Sequence, residues 1–224
     1  MFNKEHIEYY SNGNIKIRGR YKGRMKVGKW FQYYRNGIME CECYFNNGEP
    51  DGVSFNYYEN GQIEDEINYK NGVNHGKKVK YYKNGKKQSE GSFRNGVIHG
   101  YMSHYYINGQ IEGETTYHNG IKEGKGIYYF ENGKKKSENY FKNGISNGRW
   151  VIYYENGNIE SEGNHKNEIK NGGYKEYYEN GNIKYEGFYK DGEMDGKWIK
   201  YSKNVIGEIE TIQNYKNGEL DNTV

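Results

Sequence analysis

One period governs this chain. Glycines preceded by asparagine recur at Gly13, Gly37, Gly61, Gly85, Gly109, Gly133, Gly157 and Gly181, a constant spacing of 24 residues. A tyrosine column runs ahead of them at Tyr9, Tyr33, Tyr57, Tyr81, Tyr105, Tyr129, Tyr153, Tyr177 and Tyr201, and its neighbour is again aromatic from Tyr10 to Tyr178. A second glycine column (Gly48, Gly72, Gly96, Gly120, Gly144, Gly192) follows an aromatic by three residues, and a third (Gly28, Gly52, Gly76, Gly100, Gly124, Gly148, Gly172, Gly196) is unbroken. Interlocked columns at one period mean a repeat architecture, in which each block buries its surface only against its neighbours.

Each block reads as a hairpin. Residues 29–35 form one strand and 38–45 the next, joined at Asn36-Gly37. Asn-Gly is the strongest two-residue turn signal because both residues tolerate positive φ, as a type I′ turn demands. The onward connection, 46–52, reads as longer. Composition agrees with an all-β chain. There is no alanine and a single leucine, so the usual builders of helical cores are missing, while aromatic residues make up 17% and tyrosine alone numbers 27. The expected fold is an elongated, open, single-layer antiparallel meander of about nine 24-residue hairpin repeats, roughly 17 strands in all. It forms one domain over 1–224, with repeats at about 5–27, 28–51, 52–75, 76–99, 100–123, 124–147, 148–171, 172–195 and 196–220.

A two-residue turn pairs Tyr34 with Met39, Gln32 with Cys41 and Trp30 with Cys43. Elsewhere the Cys43 position is Gly19, Gly91, Gly163 or Gly187, so a ring can lie over bare backbone. The other face carries a repeating glutamate column: Glu42, Glu66, Glu90, Glu114, Glu138, Glu162 and Glu186. Two repeats are irregular. The seventh has His165 in place of an aromatic and Glu168 in place of glycine, which predicts a local bulge over 168–173. The last gains two residues around 205–207, which reads as a terminal cap.

Chemistry is sparse. The six histidines share a column only at His75 and His99, and Cys41-x-Cys43 lacks a second pair, so no metal site is expected. The glutamates are periodic, which singles out no catalytic pair, and no phosphate-binding glycine motif occurs. The expectation is a non-enzymatic chain without cofactors. A net charge of +3 argues against nucleic acid as partner. No apolar run could span a membrane and the first ten residues do not read as a signal peptide, so the chain is expected in the cytoplasm.

The motif Tyr57-Tyr58-Glu59-Asn60-Gly61-Gln62-Ile63, repeated at Tyr177-Tyr178-Glu179-Asn180-Gly181-Asn182-Ile183, resembles the bacterial variant of the MORN repeat over nearly the whole chain. That resemblance implies a protein-binding repeat platform, with antitoxin- or immunity-like sequestration of a partner such as a toxin as its specific form. From the residues themselves, the partner-binding candidates are Tyr57, Tyr81, Tyr105, Tyr129 and Tyr153, with Trp30, Trp150 and Trp198 as anchors. A lysine rim at Lys77, Lys78, Lys86, Lys87, Lys134, Lys135 and Lys136 offers the alternative of a scaffold on anionic membranes. An exported adhesin is a third reading.

Overall fold

In the computed structural model, residues 3–221 are described; the outermost residues of the expected domain, 1–2 and 222–224, lie outside them. All regular structure among the described residues is β, in 21 strand segments. Contacts divide the chain into two compact units, Met1–Gln110 with Tyr117–Gly120, and Ile111–Thr116 with Ile121–Val224. Within the first, strands from Asn3–Tyr9 to Val97–Tyr105 pair antiparallel with their sequence neighbours. Within the second, the same holds from Ile121–Tyr129 to Ile209–Lys216. The strand segments outnumber the expected 17 partly because two strands are interrupted, as Glu49–Pro50 then Gly52–Tyr57 and as Ile169–Lys170 then Gly172–Tyr177.

The two Asn-Gly pairs of a repeat exchange the roles expected of them. At the first, Gly37 N–H donates to Tyr34 O (2.9 Å) and Tyr34 N–H to Ile38 O (2.8 Å). Gly37 has φ 88°, whereas Asn36 is not among the positive-φ residues. This is a type I turn closed by a glycine bulge, not a type I′ turn. Asn36 Oδ1 instead accepts from Ile38 N–H at 2.9 Å. The bulge corrects the register: Gln32–Cys41 and Trp30–Cys43 pair as expected, but Met39 pairs with Tyr33, and Tyr34 leaves the ladder. The second pair, Asn47 (φ 49°) and Gly48 (φ 92°), is the true two-residue type I′ turn, flanked by the Asn46–Glu49 pair.

The unbroken third glycine column absorbs a bulge. Ile98 opposes Phe93 and Met102 opposes Gly91, so three residues centred on Gly100 (φ 104°) face one on the partner strand.

Tryptophans form much of the apolar core on one side of the sheet. Trp30, Trp150 and Trp198 are 3%, 5% and 6% exposed. A Cβ added to Gly19 would lie 2.2 Å from the Trp30 ring, and one on Gly187 equally close to Trp198, so these rings do lie against bare backbone. Val79 and Val151 are the buried centres of the opposite side. The bulge expected over 168–173 is present at Gly172, but it is the regular one of the repeat and not a local irregularity. Asn167 (φ 54°) and Glu168 (φ 68°) hold the same tight turn as elsewhere, and the regular bulge follows at Gly172. His165 keeps the aromatic place, stacked on Trp150 at 5.5 Å and hydrogen-bonded with Ser146. In the last hairpin the two added residues widen the loop, with Ser202 N–H donating to Glu208 O, and Val205 and Ile206 stand exposed.

Candidate binding faces

The predicted tyrosine column sits on the face that carries the glutamates, and it is half-buried. Tyr105 donates its hydroxyl to Glu90 (2.6 Å) in the first unit; Tyr129 donates to Glu114 (3.1 Å) and Tyr177 to Glu162 (2.8 Å) in the second. Burial first, then the neighbouring carboxylates, holds Tyr57, Tyr81, Tyr129 and Tyr153 above the ordinary phenol range. The same causes push Tyr177 up to about 12.

Several of these glutamates also take a cation: Lys29 to Glu42 (2.6 Å), Lys87 to Glu90 (2.7 Å), Lys125 to Glu138 (2.7 Å), Arg149 to Glu162 (2.7 Å). Hydrogen bonds from Lys87 and Tyr105 hold Glu90 below the ordinary carboxylate range. For Glu138, burial pushes upward, but Lys125 and Lys135 together outweigh it and the group is lowered. Tyrosine, glutamate and cation thus form a satisfied triad in several repeats.

The second aromatic column has a role that the sequence reading missed. Tyr10, Tyr34, Tyr58 and Tyr82 donate to the backbone carbonyls of Tyr33, Tyr57, Tyr81 and Tyr105 at 2.6–2.8 Å, each reaching the next repeat. In the second unit Tyr154 and Tyr178 do the same to Tyr177 and Tyr201. Phe130 occupies this column without a hydroxyl. The signal was present as a tyrosine repeating 23 residues before its acceptor.

The three tryptophans are core residues, which puts them beyond a partner's reach while the sheet is intact. Nor is the lysine rim a free cationic surface. Lys77 lies 3.7 Å from Glu90, and Lys87 and Lys135 are tied to Glu90 and Glu138. Lys86 and Lys134 donate to the Asn108 and Asn156 carbonyls, Lys136 lies over the Phe130 ring, and Lys78 is a half-buried strand residue.

What remains exposed is different. On the carboxylate face, Tyr44 and Tyr101 are 47% and 71% exposed in the first unit, and Tyr140 and Phe188 are 44% and 46% exposed in the second. A separate edge follows the type I′ turns, where an exposed aliphatic pairs directly with a cation: Lys70–Val73 and Arg94–Val97 in the first unit, Lys166–Ile169 in the second.

No group of three or more metal-ligating side chains exists among the described residues. Burial pushes the Cys41 thiol up to about 11, so it is a poor nucleophile, and Cys43 Sγ accepts a hydrogen bond from the Ser54 hydroxyl at 2.9 Å. No helix among the described residues is long and apolar enough to cross a membrane.

The MORN repeat variant matches eight stretches: 3–22, 26–47, 50–71, 74–95, 98–119, 122–143, 146–167 and 170–191. The chain belongs to that family. Each MORN stretch holds one hairpin, two strands about the bulged Asn-Gly turn, and each gap between stretches falls by the tight turn. The MORN frame starts about two residues before the expected repeats, and the hairpin of Glu193–Tyr201 and Ile209–Lys216 lies outside the matched stretches. MORN repeats are commonly protein- or lipid-binding modules. Among curated proteins, none matches the chain.

Proposed function

We propose that this MORN chain is a non-enzymatic platform that binds a protein partner over its carboxylate face. The observation that carries the reading is the exposure of Tyr44, Tyr101, Tyr140 and Phe188 beside charges that are already paired. Rings fixed on strands lose little entropy when covered, and satisfied ion pairs around them need not be broken. Within each unit the half-buried tyrosines of the predicted column, Tyr57, Tyr81 and Tyr105 in the first and Tyr129 and Tyr153 in the second, stand on the same face. The resemblance to antitoxin- and immunity-type MORN proteins extends the proposal to sequestration, in which the partner's working surface is simply covered.

The test is capture from the native cell on immobilised chain. Replacing Tyr44, Tyr101, Tyr140 and Phe188 with serine is expected to lower the captured protein about tenfold or more, with unfolding midpoint unchanged. Undiminished capture by that variant would refute the reading.

The turn edge favours a second reading, contact with anionic lipid. Aliphatic side chains flanked by Lys or Arg suit a headgroup boundary. Flotation with vesicles of phosphatidylcholine alone against a phosphatidylserine mixture separates the two. The lipid reading expects the chain to float with the anionic vesicles and to lose this on Val73→Ser, Val97→Ser and Ile169→Ser; equal sedimentation with both vesicles would remove it.

A further inference from the structure

One position on the carboxylate face breaks its column. Positions 29, 53, 77, 101, 125, 149, 173 and 197 share a place in the repeat, and they hold Lys, Val, Lys, Tyr, Lys, Arg, Gly and Lys. Only Gly173 lacks a side chain, and a Cβ built there meets nothing within 4 Å. Gly173 borders an open hollow of about 420 Å³ inside the second unit, whereas the hollows of about 390 Å³ beside Lys29 and beside Lys125 keep a side chain at this position. Glycine backbone at Gly163 and Gly187 and the side chain of Ile199 line part of the hollow at Gly173, and Arg149, Lys175 and Lys197 stand around it with Glu162 and Glu186.

The charges are not balanced. Glu162 is committed to Arg149 (2.7 Å) and to the Tyr177 hydroxyl (2.8 Å). Glu186 accepts from Tyr201 at 2.6 Å and lies 3.6 Å from Lys175. Lys197 has no ion pair or hydrogen bond among the described residues. The reason is the two-residue insertion. Phe31, Phe55, Val79, Ile127, Val151 and Lys175 each oppose a glutamate, but Ile199 opposes Ile212. Glu210 has moved out of the column and pairs with Lys200 instead, at 2.7 Å. Gly173 therefore leaves this hollow without the side chain that lines those at Lys29 and Lys125, and one displaced glutamate leaves an exposed cation beside it.

We propose that this hollow receives an acidic side chain of the protein partner, its aliphatic stem over Ile199 and the glycine backbone and its carboxylate on Lys197 and Arg149. Three cations against two satisfied carboxylates give the complementarity, and the volume admits a side chain rather than a strand. The inference rests on the protein-binding reading for its occupant, but the hollow can be tested without the partner.

The probe is N-acetyl-glutamate N-methylamide, with the glutamine analogue as control, followed by the amide resonances of Gly163, Gly173 and Gly187 at millimolar probe and physiological salt. Saturable shifts with the glutamate probe and none with glutamine are expected. Lys197→Gln should weaken them about tenfold, the scale of one charge-assisted hydrogen bond. Gly173→Lys, which restores the residue type of the column, should abolish them. Lys197 is exposed and uncommitted, so its variant should fold normally and decides the matter if Gly173→Lys does not fold. Equal shifts with both probes, shifts of the same strength around Lys29 and Lys77, or indifference to Lys197→Gln would overturn the proposal. A saturable hollow without any captured protein would sink the platform reading alone; capture without glutamate binding would sink this one alone.

Discussion

Glu168 holds φ 68° in a turn position that is glycine at Gly48, Gly72, Gly96, Gly120, Gly144 and Gly192. A non-glycine residue there carries about 1 kcal/mol or more of backbone strain. Glu168→Gly is therefore expected to raise the unfolding midpoint by about 2–4 °C, the shift that about 1 kcal/mol produces in a chain this long. Phe130 is the converse case. Its neighbours in the column donate a hydroxyl to the next repeat, so Phe130→Tyr should place a donor at the Tyr153 carbonyl and stabilise by about 0.5–1.5 kcal/mol. Calorimetry of both variants checks these values; a lowered midpoint in either contradicts the role given to that position. At this scale the sequence was half legible. It showed that aromatic residues recur, but a recurring ring serves a core or an interface equally well. The tryptophans were read as anchors and are core. What could have separated the two was spacing: Trp30 and Trp198 each stand eleven residues after the glycine they cover.

Between strands, the turn signals were read correctly as turns and wrongly as types. Both Asn-Gly pairs occur in most repeats, and the dipeptide alone does not say whether asparagine will enter the left-handed region. The flanking residues decide it. After the first pair, Asn36 caps Ile38 N–H and stays out of that region; at the second, Asn47 enters it and the strands close directly. The glutamate column was legible as a column, while its link to the tyrosines depends on contacts between repeats. It has a pH signature. Glu90, Glu138 and Glu162 lie below their unfolded values, so their contribution is complete above the ordinary carboxylate range and is lost as pH falls through the folded values. Wild-type protein should thus lose midpoint as pH falls through the ordinary carboxylate range and below it. The gap between wild type and Glu138→Gln, open at pH 7, should close over the same range. A gap that stays constant with pH would show that the ion pairs to Lys125 and Lys135 contribute nothing to folding.

For the molecule as a whole, the repeat told the fold class before any coordinates. Three glycine columns at a period of 24 left a hairpin meander as the consistent arrangement, and that is what each unit contains. The proposed binding surface was not legible in the same way, because it is built from what the repeat leaves unpaired. The regular columns spend their hydroxyls and charges on one another, and the rings at Tyr44, Tyr101, Tyr140 and Phe188 sit at positions occupied by other residue types in other repeats. Hydroxyl-radical footprinting of the chain, free and with its captured partner, reads this directly. Protection of Tyr101, Tyr140 and Phe188 on binding, with Trp30, Trp150 and Trp198 unreactive in both states, is the expected result. Protection confined to the turn edge at Val73, Val97 and Ile169, with those rings as reactive as before, would contradict it.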